Sequence, residues 1–134
     1  IDVGHAKGPG TNDSELPELG SGPLIGMGAE IHPAVFNALR EAAKALEMSV
    51  ATSPNARGGG TDAYALQTAR EGIPTGLVEI PLRYMHTMVE TADTSDVERA
   101  GRLLAEMIAR LDDKFLPNLK EDLMRPDKRK DKSQ

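Results

Sequence analysis

Short apolar runs bounded by Gly and Pro alternate along this chain with stretches of 3.6-residue apolar periodicity, and that order constrains the fold more than any other feature. Val35, Phe36, Leu39, Ala42, Ala43 and Leu46 fall on one helical face, with Arg40, Glu41, Lys44 and Glu47 off it. Pro33 suits a first helical position, where its missing N–H would be unpaired anyway, so the spacing predicts a helix from Pro33 to about Met48. Val97, Ala100, Leu103, Leu104, Met107, Ile108 and Leu111 form a second stripe, preceded by Ser95 and Glu98 in the spacing of a capping box. Between the two, Thr61 or Asp62 is placed to cap a helix to about Glu71, with Ala65, Leu66 and Ala69 on its apolar side and Gly72 as its stop. Strands are expected over 1–5, 22–28, Ser49–Ser53 (ended by Pro54) and Thr75–Ile80. Leu77, Val78 and Ile80 are nearly continuous apolar positions, as in a strand covered on both faces. Loops are expected over 7–21, 55–60 and 81–93, the second of them flexible. Strands alternating with amphipathic helices imply a layered α/β sheet.

The chain is 134 residues long, enough for one domain with a real core, and it shows no internal repeat. Residues 1–112 hold the alternating pattern; 113–134 form an extension in which Phe115, Leu116, Leu119 and Leu123 can dock, with nothing to bury and disorder expected after Pro126. The opening Ile1-Asp2-Val3 has the alternation of a strand interior and no initiator Met, so the expectation is part of a longer polypeptide, cut at or near a strand. Cysteine is absent, which excludes a disulfide framework and thiolate metal sites. No apolar run approaches the roughly 20 residues of a membrane span, and no signal-peptide pattern is present. The net charge of −5 argues against a nucleic-acid surface, and together with the missing signal it points to the cytoplasm. That charge is uneven: 113–134 carries a net +2 and the body a net −7, which suits a divalent cation or a basic ligand, and equally plain solubility.

Three features can carry chemistry. Asp2 and His5 sit on the opening strand before a loop, where open α/β sheets present ligand groups; carboxylate and imidazole suit zinc, cobalt or manganese, although an Asp here can also simply cap the next loop. His86 and Glu90 form a second cluster, in which the imidazole can bind metal with Glu90 or a backbone carbonyl orienting its other nitrogen, or can bond a loop carbonyl. Gly58-Gly59-Gly60-Thr61-Asp62 runs into a helix start, exposing N–H groups to an anion or a carbonyl, or forming a tight capped loop. It lacks the Gly-Lys-Ser/Thr ending of a phosphate loop. His32 precedes a helix-starting Pro and reads as local structure. Gly20-Ser21-Gly22-Pro23-Leu24-Ile25-Gly26 has the wrong spacing for a dinucleotide fingerprint, and no Gly-x-Ser-x-Gly elbow is present.

These pieces together resemble one family. Asp2-Val3-Gly4-His5-Ala6 is similar to an Asp-Val-Thr-His-Ala strand end, with Gly4 in place of Thr. Gly20-Ser21-Gly22-Pro23, Gly60-Thr61-Asp62-Ala63, Gly72-Ile73-Pro74-Thr75 and Ile80-Pro81-Leu82-Arg83-Tyr84-Met85-His86-Thr87 follow in the expected order. Over roughly residues 1–112 the chain resembles the C-terminal part of a glutamyl or tetrahedral aminopeptidase, a di-metal metallopeptidase family whose members are often labelled endoglucanase or cellulase. The resemblance implies a layered α/β/α sandwich, the C-terminal portion of a zinc-peptidase-like (phosphorylase/hydrolase-like) catalytic domain.

It further implies two divalent metal ions, zinc, cobalt or manganese, sharing a water that attacks the peptide carbonyl. By residue-wise carry-over Asp2 is a terminal ligand of one ion and His86 of the other, with Gly60, Thr61 and Asp62 near the substrate. No catalytic residue is carried over: the family's general-base Glu belongs to an adjacent Glu-Glu pair, and this chain has no Glu-Glu dipeptide. The resemblance therefore implies a parent metalloaminopeptidase, a hydrolase acting on peptides in a homo-oligomer without nucleic-acid or membrane partners, and a segment that is inactive alone. A non-enzymatic α/β assembly or binding module is the alternative. Glycan hydrolysis ranks lower, because aromatics make up only 3% of the chain and Trp is absent, whereas sugar clefts are usually lined with aromatics.

Overall fold

The computed structural model describes residues 1–11, 16–55 and 60–124. The flexibility expected over 56–59 and the disorder expected after Pro126 fall outside these residues. The elements are β1 (Asp2–His5), β2 (Leu24–Gly28), α1 (Pro33–Ala45), β3 (Ala51–Asn55), α2 (Asp62–Thr68), β4 (Val78–Arg83), β5 (Thr91–Ala92), α3 (Thr94–Ala109) and α4 (Phe115–Met124). The strands form one mixed sheet in the order β1-β4-β2-β3, with β5 on the far end of β4. β1 runs parallel to β4 and β2 parallel to β3, while β2 and β4 are antiparallel. Helices joined to a mixed sheet agree with the expected α/β class.

Alternation along the strands divides the sheet into two faces. Ile25 of β2 and Val78 of β4 point into a core shared with Leu39, Ala42 and Ala43 of α1 and Ala100 and Leu103 of α3. Ile80 packs against the same core. The predicted stripes thus meet each other and the sheet, and each fully buried Leu contributes about 2 kcal/mol from apolar area removed from water. The ends of the α3 stripe do not join in: Val97, Ile108 and Leu111 are exposed. In α4, Leu119 is buried and Leu116 is exposed.

Several boundaries differ from expectation. Pro54 lies inside β3 rather than ending it, because β3 is the sheet's edge strand and a missing donor is tolerated there. β4 begins at Val78 and runs through Pro81 to Arg83, which shortens the expected 81–93 loop. Pro81 falls between residues paired to β2 (Val78, Glu79) and residues paired to β5 (Leu82, Arg83), so its missing N–H interrupts neither ladder. α2 stops at Thr68, and its buried residue is Ala63; Ala65 and Leu66 face outward. Gly72 does adopt the left-handed conformation (φ +88°), but in the turn beyond the helix.

The start of α3 shows the most informative difference. The cap is Asp93, whose side chain accepts a hydrogen bond from the Ser95 N–H at 2.8 Å. The hydrogen bonds from Ser95 hold the Asp93 carboxyl below its ordinary range. The stabilising cap is therefore present above that range and is lost as pH falls through the lowered folded-state value. One residue past Ser95, Asp96 is completely buried. Its Oδ2 accepts from the Gly20 N–H at 2.7 Å and its Oδ1 from the Gly22 N–H at 2.8 Å. Arg99 closes the arrangement by donating to the Gly20 carbonyl at 2.6 Å. The Gly20-Ser21-Gly22-Pro23 segment is thus a structural clamp that sets where β2 begins. Gly22 has φ +105°, and a Cβ there would lie 2.6 Å from the Ser49 carbonyl oxygen.

Replacing Asp96 by Ala leaves two buried N–H groups without partners and is expected to destabilise the fold by about 3 kcal/mol. Gly22→Ala should cost more than about 1 kcal/mol, from backbone strain and the Ser49 contact. Urea unfolding followed by circular dichroism measures both; Asp96→Ala unfolding at the wild-type midpoint would contradict the clamp.

Candidate metal-binding cleft

The strand pairing assembles the candidate site. Parallel register puts Asp2 of β1 opposite Glu79 of β4, and the antiparallel pair puts Leu24 of β2 opposite the same Glu79. Because Val78 and Ile80 point to the helical core, Glu79 turns to the other face of the sheet. A cleft of about 560 Å³ opens there, lined by Asp2, His5, Ser53, Gly60, Thr61, Glu79 and His86 among others. Four of the five residues named from sequence for metal or substrate therefore share one cavity: Asp2, His86, Gly60 and Thr61. Asp62 is exposed in the first turn of α2 and stands outside the lining.

Asp2 opens β1 and is half-buried, while His5 ends the strand. The Oδ1 of Asp2 accepts from the Val3 N–H at 2.8 Å, so this carboxylate is held by its own strand and does not cap the next loop. Gly4 allows a close approach behind it: a Cβ there would meet Leu24 at 3.0 Å and Glu79 at 3.2 Å. The Thr of the resembled motif would crowd the Glu79 side chain of this chain.

His86 reaches the cleft from an unusual turn. Tyr84 and His86 both adopt left-handed backbone conformations, with φ of +58° and +63°. Such non-glycine positions are strained and persist only where the surroundings hold them. Here the Glu90 carboxylate accepts from the His86 backbone N–H at 2.6 Å, and the Thr87 hydroxyl donates to the Tyr84 carbonyl at 2.6 Å. Glu90 therefore holds the loop through the main chain of His86, where an orienting bond to the imidazole was one expectation. His32 behaves as local structure: its Nδ1 accepts from the Ala34 N–H at 3.2 Å and caps α1. Arg83 anchors the other side of the turn by donating to the Lys7 carbonyl and to Glu18.

Glu79 was not singled out from sequence, although a charge inside the otherwise apolar Leu77-Val78-Glu79-Ile80 run was the available signal. It is only 6% exposed. Burial pushes its carboxyl above the ordinary value of 4.5; a hydrogen bond with Ser53 opposes that shift, the nearby Asp2 adds to it and His5 lowers it. Among the described residues its Oε2 has no hydrogen-bond partner, and neither does the buried hydroxyl of Thr61 on the same cleft. The Thr61 hydroxyl also makes no capping bond to α2.

The donor chemistry fits part of a metal centre. Asp2 and His86 are a carboxylate and an imidazole, ligands suited to zinc, cobalt or manganese. Among the described residues, no three His, Cys, Asp or Glu side chains are grouped to hold an ion. A catalytic zinc takes about three protein ligands, so these residues can contribute to a centre but do not complete one.

A raised carboxyl value makes ionised Glu79 unfavourable in the fold. Its contribution is fully favourable below the ordinary value near 4.5 and is lost as pH rises through the raised one. Glu79→Gln keeps a partner for Ser53 without the charge. Its melting temperature is expected to exceed that of the wild type at pH 8 and to converge with it in acid; a constant difference across pH would contradict this account.

Comparison with known proteins identifies the family of the chain. A family model described as M42 glutamyl aminopeptidase matches residues 1–103. A lysyl aminopeptidase of Pyrococcus furiosus is 39% identical over 111 residues, which cover 83% of this chain and 32% of that protein. The chain thus spans about a third of the length of this relative. Among solved structures, a TET aminopeptidase from a marine-sediment Thaumarchaeota archaeon superposes with a TM-score of 0.78 at 29% identity, over 87% of this chain and 34% of that one. PhTET1-12s, a dodecamer in its asymmetric unit, superposes with a TM-score of 0.60 at 26% identity, over 82% of this chain and 32% of that one. By the family match over residues 1–103, the chain belongs to the M42 glutamyl aminopeptidases.

Proposed function

We propose that the protein carrying this chain is a metal-dependent aminopeptidase that removes N-terminal residues from peptides. The observation that carries this reading is the convergence of Asp2 and His86, from opposite ends of the body, on one cleft beside Gly60 and Thr61. In it, Asp2 is a terminal ligand of one divalent ion and His86 a terminal ligand of a second, zinc, cobalt or manganese. Such an ion pair, when bound, acidifies a water and polarises the scissile carbonyl. The chain's own residues set the frame for that chemistry. The Val3 N–H restrains the Asp2 carboxylate, and Glu90 holds the strained turn that brings His86 to the cleft. Gly60, without a side chain, and Thr61 leave room for substrate on the adjoining wall, with Asp62 just behind them.

The remaining ligands and the general-base Glu come from outside this segment in this reading, which is why the segment alone is inactive. A homo-oligomeric assembly is supported by the dodecameric structural neighbour. Among the described residues no helix is long and apolar enough to cross a membrane, and a cytoplasmic site of action is part of the proposal.

Two measurements test it. The 134-residue chain, shown folded by circular dichroism, is expected neither to bind zinc tightly by calorimetry nor to hydrolyse aminoacyl-nitroanilides; tight binding of two zinc ions would sink the assignment of missing ligands. In an enzyme containing the segment, Asp2→Ala and His86→Ala are each expected to lower bound metal and to reduce kcat/KM by about a hundredfold or more. Unchanged metal content and rate in both variants would overturn the ligand roles.

A further inference from the structure

The cleft holds a polar arrangement that the metal reading does not use. Glu79 is more than nine-tenths buried and opens on the cleft, with Ser53 engaging its carboxylate while Oε2 has no partner among the described residues. The Thr61 hydroxyl, on the same cleft, is also buried, has no partner among the described residues and makes no capping bond to α2. Buried polar groups left unpaired are costly, by about 1–3 kcal/mol each and more for charged ones, so two in one cavity call for a ligand that satisfies both.

The chemistry of the two atoms narrows that ligand. A carboxylate oxygen only accepts, and a hydroxyl can accept as well, so the complement is a group with several N–H donors. The negative charge of the Glu79 carboxylate itself excludes an anion and favours a cation. An apolar group would leave both atoms unsatisfied. An alkylammonium fits: it is cationic, compact and carries three donors.

We infer that Glu79 and Thr61 form a subsite for an ammonium group of the substrate. Glu79 Oε2 accepts one N–H in a charge-assisted hydrogen bond, Thr61 Oγ1 accepts a second, and Ser53 keeps the Glu79 carboxylate in place. The assignment rests on the aminopeptidase reading for the identity of the ligand as substrate. The same chemistry is presented by a peptide's α-ammonium and by a basic side chain at its first residue, and the two are separable by probe.

The test uses the metal-free 134-residue chain at neutral pH and binding followed by amide chemical shifts. Three probes of similar size are titrated: hexanamide, which is neutral; norleucinamide, which carries only an α-ammonium; and 6-aminohexanamide, which carries only a terminal one. At least one ammonium probe is expected to bind about tenfold more tightly than hexanamide, with shifts at Glu79 and Thr61. Glu79→Gln, a near-isosteric change, should bring that preference within about twofold, and Thr61→Val should weaken it severalfold. Preference for norleucinamide assigns the subsite to the α-amine, and preference for 6-aminohexanamide assigns it to a basic first residue. Equal binding of hexanamide, binding of none of the probes, or a preference that survives Glu79→Gln overturns the subsite. No metal or hydrolysis enters this experiment, so its failure leaves the roles of Asp2 and His86 standing, and their failure leaves this result intact.

Discussion

The buried carboxylate of Asp96 is the constraint on which the rest of the structure depends. It sits in the first turn of α3 and holds the Gly20 and Gly22 N–H groups at hydrogen-bonding distance. Through these bonds α3 is tied to the segment leading directly into β2. Since α3 packs on β4 and α1 on β2, the clamp fixes the relation between the two central strands that build the cleft. Gly22 has to be glycine for this purpose, with a left-handed backbone and no room beside the Ser49 carbonyl. The Gly20–Pro23 segment is therefore a splint for the sheet.

The sheet itself separates two jobs. One face is apolar and sealed by α1 and α3, which supplies the stability. The other holds Asp2, Glu79 and the His86 turn, which are unfavourable on their own account: a buried carboxylate beside another carboxylate, and a loop with two strained residues. Such features persist because the surrounding structure over-determines them, and they concentrate where ligands bind. The parallel pairing of β1 with β4 matters most here, since it places Asp2 against Glu79 and carries His86 to the end of the same strand pair.

Much of this was legible in the residues. The stripes of α1 and α3 and the strand positions in outline are readable from periodicity, and Asp2 and His86 as a candidate pair follow from the family resemblance. The positions that depart from local rules share a cause: a long-range contact decides there. Ser95 and Glu98 satisfied a capping rule, yet Asp93 is the cap and Asp96 is drawn inward by Gly20 and Gly22. Pro54 and Pro81 read as strand breakers, yet each lies at a position whose missing donor has no ladder partner to disappoint. Ala65 and Leu66 gave α2 an apolar side, yet Ala63 is the residue it buries. Nothing in the neighbourhood of Glu79 along the chain shows that it faces Asp2, which only the pairing of β1 with β4 brings about.

What the sequence determined by itself is the set of faces: which residues form amphipathic helices, which form strands, and which chemical types stand ready as ligands. These follow from 3.6- and two-residue periodicities and from the chemistry of single side chains, all of which are local. Only the tertiary structure decided that Asp2, Thr61, Glu79 and His86 share a cavity, that two buried polar atoms there lack partners, and that the Gly20–Pro23 segment serves the fold rather than a ligand. Those facts depend on strand order and register, which are set by packing between residues far apart in the chain, and such pairings leave no periodic trace in the sequence.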